Sequence, residues 1–327
     1  MNRGRGTGTR LIRRLAIVAS VLVVAGLAAF WILTMPATVA ASALPAYAPN
    51  IANGKTMFDA GGCASCHAVP NKDPDKVDRT RLGGGLAVPC PFGTFYAPNI
   101  SPDPNDGIGR WSEADFVSAL WDGTGPGGRQ LYPAFPYTSF RHMQLADVRD
   151  LFAYLKTLPP VPGKVRGPDL PFPFNIRRLV GLWKLLFLDG GPFVADPSKS
   201  AQWNRGAYLV NGPAHCAECH SPRNFLGGII ASERFAGGPT PDGKDWVPNI
   251  TPAGLRQGEN AKTPWSPRDI ASFLSDGMTP DGDFAGGLMA EVIRNTSLLG
   301  TSDRAAIAAY IASLPPVQGP APPKKKK

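Results

Sequence analysis

Charge and histidine are both scarce in this 327-residue chain. Charged residues make up 18% of it, and there are four histidines. Soluble domains average about 25% charged. The net charge of +9 is a property of the two ends. Arg3, Arg5, Arg10, Arg13 and Arg14 precede the first apolar run, Lys324 to Lys327 close the chain, and neither end holds an acid. Without these nine, 25 of the 34 basic residues face 25 acidic ones. A balanced middle leaves no basic surface for nucleic acid. Cysteine is scarce too: of five, four fall in two short motifs, and Cys90 is left without a disulfide partner. With 35 prolines and 37 glycines, much of the chain is expected to be loop.

The two motifs organise the rest. Cys63-Ala64-Ser65-Cys66-His67 recurs as Cys216-Ala217-Glu218-Cys219-His220. Cysteines three apart share one face of a helix. Both sulfurs can then form thioethers to the vinyl groups on one porphyrin edge. The histidine that follows can reach the iron from the proximal side. A lone C-x-x-C is also compatible with zinc or a thioredoxin-like pair. Two copies, each followed by histidine and each inside a matching repeat, predict two covalently bound haems. Cys63, Cys66, Cys216 and Cys219 attach them, with His67 and His220 as proximal ligands.

Residues 1–14 are a basic, cytoplasmic N-terminus. Residues 15–34 (LAIVASVLVVAGLAAFWILT) lack charge and are long enough to cross a bilayer as a helix. The arginines before them put the remainder on the periplasmic side of the inner membrane. Ala41-Ser42-Ala43 resembles a signal-peptidase site. The length of the apolar run and Trp31 near its end nevertheless favour a retained anchor. Residues 35–49 are a Pro/Ala tether. A first haem domain spans 50–161, a linker 162–199, a second haem domain 200–317, and a Pro/Lys tail 318–327.

Repeated local signals define the two domains. Gly54 and Phe58 share a helix face and should meet Leu151 and Tyr154 of a closing helix over Leu145–Leu155. Gly206, Val210, Ile307 and Tyr310 stand in for them later. Ser112-Glu113-Ala114-Asp115 and Ser266-Pro267-Arg268-Asp269 read as capping boxes, with Pro267 at the first helical position. Pro98-Asn99-Ile100-Ser101-Pro102 returns as Pro248-Asn249-Ile250-Thr251-Pro252, and Leu158-Pro159-Pro160-Val161 as Leu314-Pro315-Pro316-Val317. The expected crossing of the first and closing helices resembles that of class I cytochromes c, which implies a mainly α fold class of two tandem class I cytochrome c-like domains after a transmembrane helix. In the linker, Leu179–Leu188 is almost wholly apolar but too short to span a membrane. It either packs between the domains or forms an exposed patch for a partner or the membrane surface.

Further motifs carry a family resemblance across about residues 50–317. They include Phe92-Gly93-Thr94-Phe95-Tyr96, Gly107-Ile108-Gly109-Arg110-Trp111, Leu131-Tyr132-Pro133-Ala134-Phe135-Pro136-Tyr137 and Trp203-Asn204-Arg205-Gly206-Ala207-Tyr208. The sequence resembles multihaem cytochrome c subunits of bacterial periplasmic dehydrogenases, of the alcohol and gluconate type. Many such subunits carry three haems; the motifs here predict two. The resemblance implies a non-catalytic subunit. It would take electrons from a periplasmic dehydrogenase and pass them to quinone or another cytochrome. A dihaem enzyme of the thiosulfate dehydrogenase type, with Cys90 as a distal ligand, is the alternative.

For the distal ligands, Met289 is expected on the second haem, because Gly286-Gly287 allow close backbone approach. Met278 is its competitor. Similar subunits often have methionine within Y-P-A-x-P-Y, where this chain has Phe135. Met143 is therefore expected on the first haem, ahead of His142, Cys90 or an open iron; Met57 lies upstream of the haem motif. His215 is expected at the surface or behind the iron ligands.

Overall fold

The computed structural model describes residues 5–73, 76–240, 242–257 and 263–322. Arg3 and Lys324–Lys327, from the two basic ends, lie outside the described residues. The structure is mainly helical. The first helix, α1 (Arg5–Leu33), starts ahead of the apolar run and takes in its arginines, which are good helix formers. Its stretch Arg10–Leu33 is 24 residues long, apolar enough to cross a membrane, and 0% buried within the protein. At 1.5 Å per residue this covers about 36 Å, against a hydrocarbon core of about 30 Å.

Residues 35–49 lie against the first half of the protein. The Val39 amide donates to Ser118 Oγ at 2.8 Å. The Tyr47 hydroxyl donates to Asp150 at 2.8 Å, and Arg149 stacks on the Tyr47 ring at 4.6 Å.

The first half contains α2 (Ile51–Ala60), α3 (Cys63–His67), the hairpin β1 (Ala87–Cys90) and β2 (Gly93–Tyr96), α4 (Glu113–Asp122), the short pair β3 (Thr124–Gly125) and β4 (Arg129–Gln130), α5 (Tyr137–Phe140) and α6 (Leu145–Thr157). The linker folds into α7 (Leu179–Phe187). The second half contains α8 (Ala201–Asn211), α9 (Ala217–His220), the pair β5 (Gly238–Pro239) and β6 (Trp246–Val247), α10 (Pro252–Gln257), α11 (Pro267–Asp276), α12 (Gly287–Thr296) and α13 (Thr301–Ala312). All three strand pairs are antiparallel and two-stranded.

Both capping boxes form. Ser112 Oγ accepts from the Asp115 amide at 3.1 Å, and Asp115 accepts from the Ser112 amide at 2.9 Å. Ser266 and Asp269 repeat this at 3.3 and 2.8 Å. Each boxed helix ends on a left-handed glycine, Gly123 at φ 57° and Gly277 at φ 77°.

The same helix crossing occurs twice. In the first half α2 lies across α6, and a Cβ on Gly54 would stand 2.1 Å from the Asp150 carbonyl oxygen and 2.8 Å from Tyr154 Cβ. In the second half α8 lies across α13, and a Cβ on Gly206 would stand 2.0 Å from the Ala306 carbonyl oxygen and 2.9 Å from Tyr310 Cβ. Tyr154 also meets Phe58, with ring centroids 5.3 Å apart. Asp150 rather than Leu151 faces Gly54, and Leu151 turns into the core. One contiguous apolar core runs through both halves.

Gly54→Ala is expected to destabilise the protein by roughly 1–3 kcal/mol, the usual cost of overpacking. Gly167→Ala, where nothing lies within 4 Å, should change stability by less than about 0.5 kcal/mol. Urea unfolding midpoints of the two variants check this.

Candidate functional site

Each C-x-x-C-H motif forms a single helical turn at the end of the first helix of its half. Gly61 and Gly62 join α2 to α3, and Gly62 adopts φ 58°, ψ 28°. The residue in the same place before Cys216 is His215, at φ 39°. A left-handed residue thus precedes both attachment turns. Glycine adopts this conformation freely, whereas histidine does so at a cost of order 1 kcal/mol. His215 is held by two contacts: its Nδ1 lies 2.9 Å from the Pro213 carbonyl, and its ring meets the edge of Phe140, centroids 5.5 Å apart. It sits between the halves rather than at the surface.

Burial works against the thiolate that a zinc site would need. Burial pushes the Cys63 and Cys216 thiols up to about 12, and each is also near the second cysteine of its motif. Zinc sites need thiolates. Among the described residues no group of three or more His, Cys, Asp or Glu side chains could hold a metal ion. A porphyrin, by contrast, needs from the chain two neighbouring thiols and one axial nitrogen.

The imidazoles are oriented for that role. His67 Nδ1 lies 2.8 Å from the Pro98 carbonyl oxygen, and His220 Nδ1 lies 2.8 Å from the Pro248 carbonyl oxygen. A carbonyl can only accept, so Nδ1 carries the proton and Nε2 keeps its lone pair. Burial holds both imidazoles below the usual histidine range despite these bonds, so the neutral, ligating form prevails at pH 7.

The repeated proline loops supply this carbonyl, a role their sequence does not disclose. Asn99 Nδ2 donates to the Val161 carbonyl at 2.7 Å, and Asn249 Nδ2 to the Val317 carbonyl at 2.8 Å. The Ser101 and Thr251 amides donate back to the Asn99 and Asn249 side chains at 2.9 and 2.8 Å. Ser101 Oγ and Thr251 Oγ1 accept the Val161 and Val317 amides at 3.0 and 3.2 Å. Pro-Asn-Ile-Ser/Thr-Pro and Leu-Pro-Pro-Val are therefore two ends of one clamp. The signal is present in the sequence as two motifs that recur together.

The distal candidates separate clearly. Met143 is 1% exposed and lies in the shared core, its carbonyl accepting the Trp121 indole N–H at 3.0 Å. His142 turns the other way: its Nδ1 bonds the Gly191 carbonyl of the linker at 2.8 Å, and Gly190 closes on its ring. Met289, in the first turn of α12, is half-buried and packs on the core, while Met278 is 48% exposed. Met57 is fully buried, its sulfur 4.0 Å from the Tyr208 hydroxyl of the second half. Cys90 is half-buried at the tip of the β1–β2 hairpin, paired in register with Gly93.

Each C-x-x-C-H turn is held by a helix of the opposite half. Glu218, third residue of the second motif, accepts the hydroxyls of Thr138 and Ser139 on α5 at 2.7 and 2.8 Å. Ser65, third residue of the first motif, accepts from Asn295 Nδ2 on α12 at 2.8 Å. Arg79 also reaches Asn295. Burial pushes the Glu218 carboxyl up, but Arg223, Thr138 and Ser139 outweigh it and hold the group below the usual carboxylate range.

A helical turn presenting two thiols and an imidazole with a free Nε2, built twice in a mainly helical chain, is the donor set of a c-type cytochrome. Known proteins point the same way. The cytochrome c family model matches residues 51–159. A dihaem cytochrome c-type protein of Cereibacter sphaeroides is 47% identical over 307 residues, covering 94% of this chain and 99% of that one. A nicotinate dehydrogenase subunit of Pseudomonas putida is 42% identical over 267 residues, 82% of this chain but 21% of that protein. The fructose dehydrogenase cytochrome subunit of Gluconobacter japonicus is 37% identical over 273 residues, 83% of this chain and 54% of that one. The chain thus spans nearly all of the dihaem relative and about half or less of these two dehydrogenase subunits. The chain belongs to the cytochrome c family: it is an electron-transfer protein with covalently bound haem c.

A double-mutant cycle between Ser65→Ala and Asn295→Ala tests the contact between the halves. A coupling of roughly 0.5–1.5 kcal/mol in urea unfolding is expected for one hydrogen bond. Additive effects would show that the two side chains do not meet.

Proposed function

We propose that the chain is a membrane-anchored dihaem carrier built from two tandem class I cytochrome c-like domains, residues 50–161 and 200–317. Cys63 and Cys66 attach the first haem, with His67 proximal and Met143 distal. Cys216 and Cys219 attach the second, with His220 proximal and Met289 distal. The observation that carries this reading is the imidazole-to-proline-carbonyl bond, present twice at the same 2.8 Å.

Haem c, when bound, supplies a one-electron iron couple. The chain's own residues do the rest. The Pro98 and Pro248 carbonyls fix the imidazole tautomer and raise its basicity. A thioether such as that of Met143 is a neutral ligand that favours a higher potential, and its burial excludes water. Turning His142 to the linker removes the rival ligand from the core. The hydrogen bonds by which each half holds the other's C-x-x-C-H turn suit a carrier that accepts an electron at one half and releases it from the other.

The partners follow from the relatives' names, which include nicotinate and fructose dehydrogenase subunits. The chain takes electrons from the catalytic subunit of a periplasmic dehydrogenase. It delivers them to quinone or to a downstream cytochrome. The apolar helix α1 anchors it in the inner membrane, with the haem domains in the periplasm.

Two measurements test this. The oxidised holoprotein should stay oxidised with thiosulfate alone and become reduced when membranes with an active sugar or alcohol dehydrogenase and its substrate are added; reduction by thiosulfate alone overturns the carrier reading. Met143→Ala should remove about half of the far-red methionine-to-iron band, one of two such ligands, and lower one potential, while His142→Ala leaves the band intact. A full band in Met143→Ala would rule out Met143.

A further inference from the structure

The linker helix α7 is amphipathic in the wrong sense for a helix that faces water. Its one charged residue, Lys184, points inward. The ammonium donates to the Asp122 and Gly123 carbonyls at 2.6 and 2.7 Å and lies 5.1 Å from the centre of the Tyr137 ring. Val180 and Gly181 are buried with it. The Trp183 indole donates to the Leu226 carbonyl at 2.9 Å, and Phe187 closes on Gly228. The opposite face carries Leu182, Leu185 and Leu186, which are 38%, 56% and 66% exposed. Their spacing puts them on one side of the helix. Phe172, just before α7, and Phe225, beside Leu226, are exposed as well.

This face begins where the apolar helix α1 ends. Arg178, at the start of α7, donates to Thr34 Oγ1 at 2.6 Å, and its guanidinium lies 4.1 Å over the Trp31 ring. Gly181 has no room for a Cβ, which would come within 2.7 Å of Thr34 Cβ. The start of α7 is thus fixed to the last turn of α1. A leucine face held there, with its cation turned away from it, matches a surrounding that is not water.

We propose that the leucine face of α7 is a second membrane contact, in which Leu182, Leu185 and Leu186, with Phe172 and Phe225, lie in the headgroup–acyl boundary of the bilayer. The proposal rests on the reading of α1 as a retained anchor. Continuity with that helix selects lipid over a protein partner as the occupant. Short helices with an apolar face toward the acyl chains lie in the plane of the interface. Here the second contact stops the haem domains from swivelling about α1 and holds the first half beside the membrane, where a lipid-soluble quinone is reached.

The test uses the full-length holoprotein in vesicles of phosphatidylcholine and phosphatidylglycerol, in a Cys90→Ser background. A nitroxide is placed at Leu186→Cys, with Leu182→Cys as an independent second position. Val21→Cys in α1 serves as the lipid control and Val194→Cys, 85% exposed, as the water control. Collision with oxygen, which concentrates in the bilayer, is compared with collision with a water-soluble nickel chelate. The expected result is loss of nickel collision and gain of oxygen collision at positions 186 and 182, as at position 21. If nickel reaches them as freely as position 194 while position 21 stays lipid-like, the anchor stands and the second contact is wrong. Exclusion of both reagents would mean that protein covers the face, which also overturns the proposal. Nickel access at position 21 would refute the anchor reading and this proposal with it.

Discussion

The hydrogen bond from the imidazole of each C-x-x-C-H turn to a proline carbonyl links the local motif to the whole fold. It makes Nε2 the free nitrogen and holds the ring at one angle. A typical net value for such a bond is about 1 kcal/mol, but partners of this kind change metal affinity by about 10–100-fold because they orient the ligand. The carbonyl is only as fixed as its loop. Asn99 and Asn249 tie the loops to Val161 and Val317, a few residues beyond the last helix of each half. Those helices are placed by the crossings at Gly54 and Gly206. A side chain on either glycine would therefore be felt at the imidazole through a chain of contacts, not through proximity.

The second constraint is the contact between the halves. Each attachment turn is gripped by the segment that carries the other half's distal candidate: α5, just before Met143, holds Glu218, and α12, which carries Met289, holds Ser65. The arrangement is reciprocal: each half holds the other's turn. It brings the two turns to the contact between the halves, with Cys63, Cys216 and Cys219 half-buried and Cys66 exposed. It also explains why His215 tolerates a backbone conformation better suited to glycine: its ring is part of this contact, against Phe140.

Much of this is legible in the amino-acid sequence. The two C-x-x-C-H turns and both capping boxes rest on residues within one helix turn of each other, and they form where the spacing puts them. What is not legible depends on distant partners. The packing of residues 35–49 comes from Ser118 and Asp150, about 80 to 100 residues away. The orientation of His142 is set by Gly190 and Gly191 of the linker. Helix α12 opens with glycine, lacks a side-chain cap and carries no strong start signal. The pairing of Asp150 rather than Leu151 with Gly54 reflects where the α6 backbone passes closest, a one-residue rotation that apolar periodicity does not resolve.

The central claim is that both turns carry haem through thioether bonds. The most direct measurement is the mass of the intact, denatured chain, purified from cells competent to attach c-type haem. The account predicts a mass above that of the polypeptide by two haem groups, falling to one when Cys216 and Cys219 are both replaced by alanine. A wild-type mass with one haem or none would contradict it.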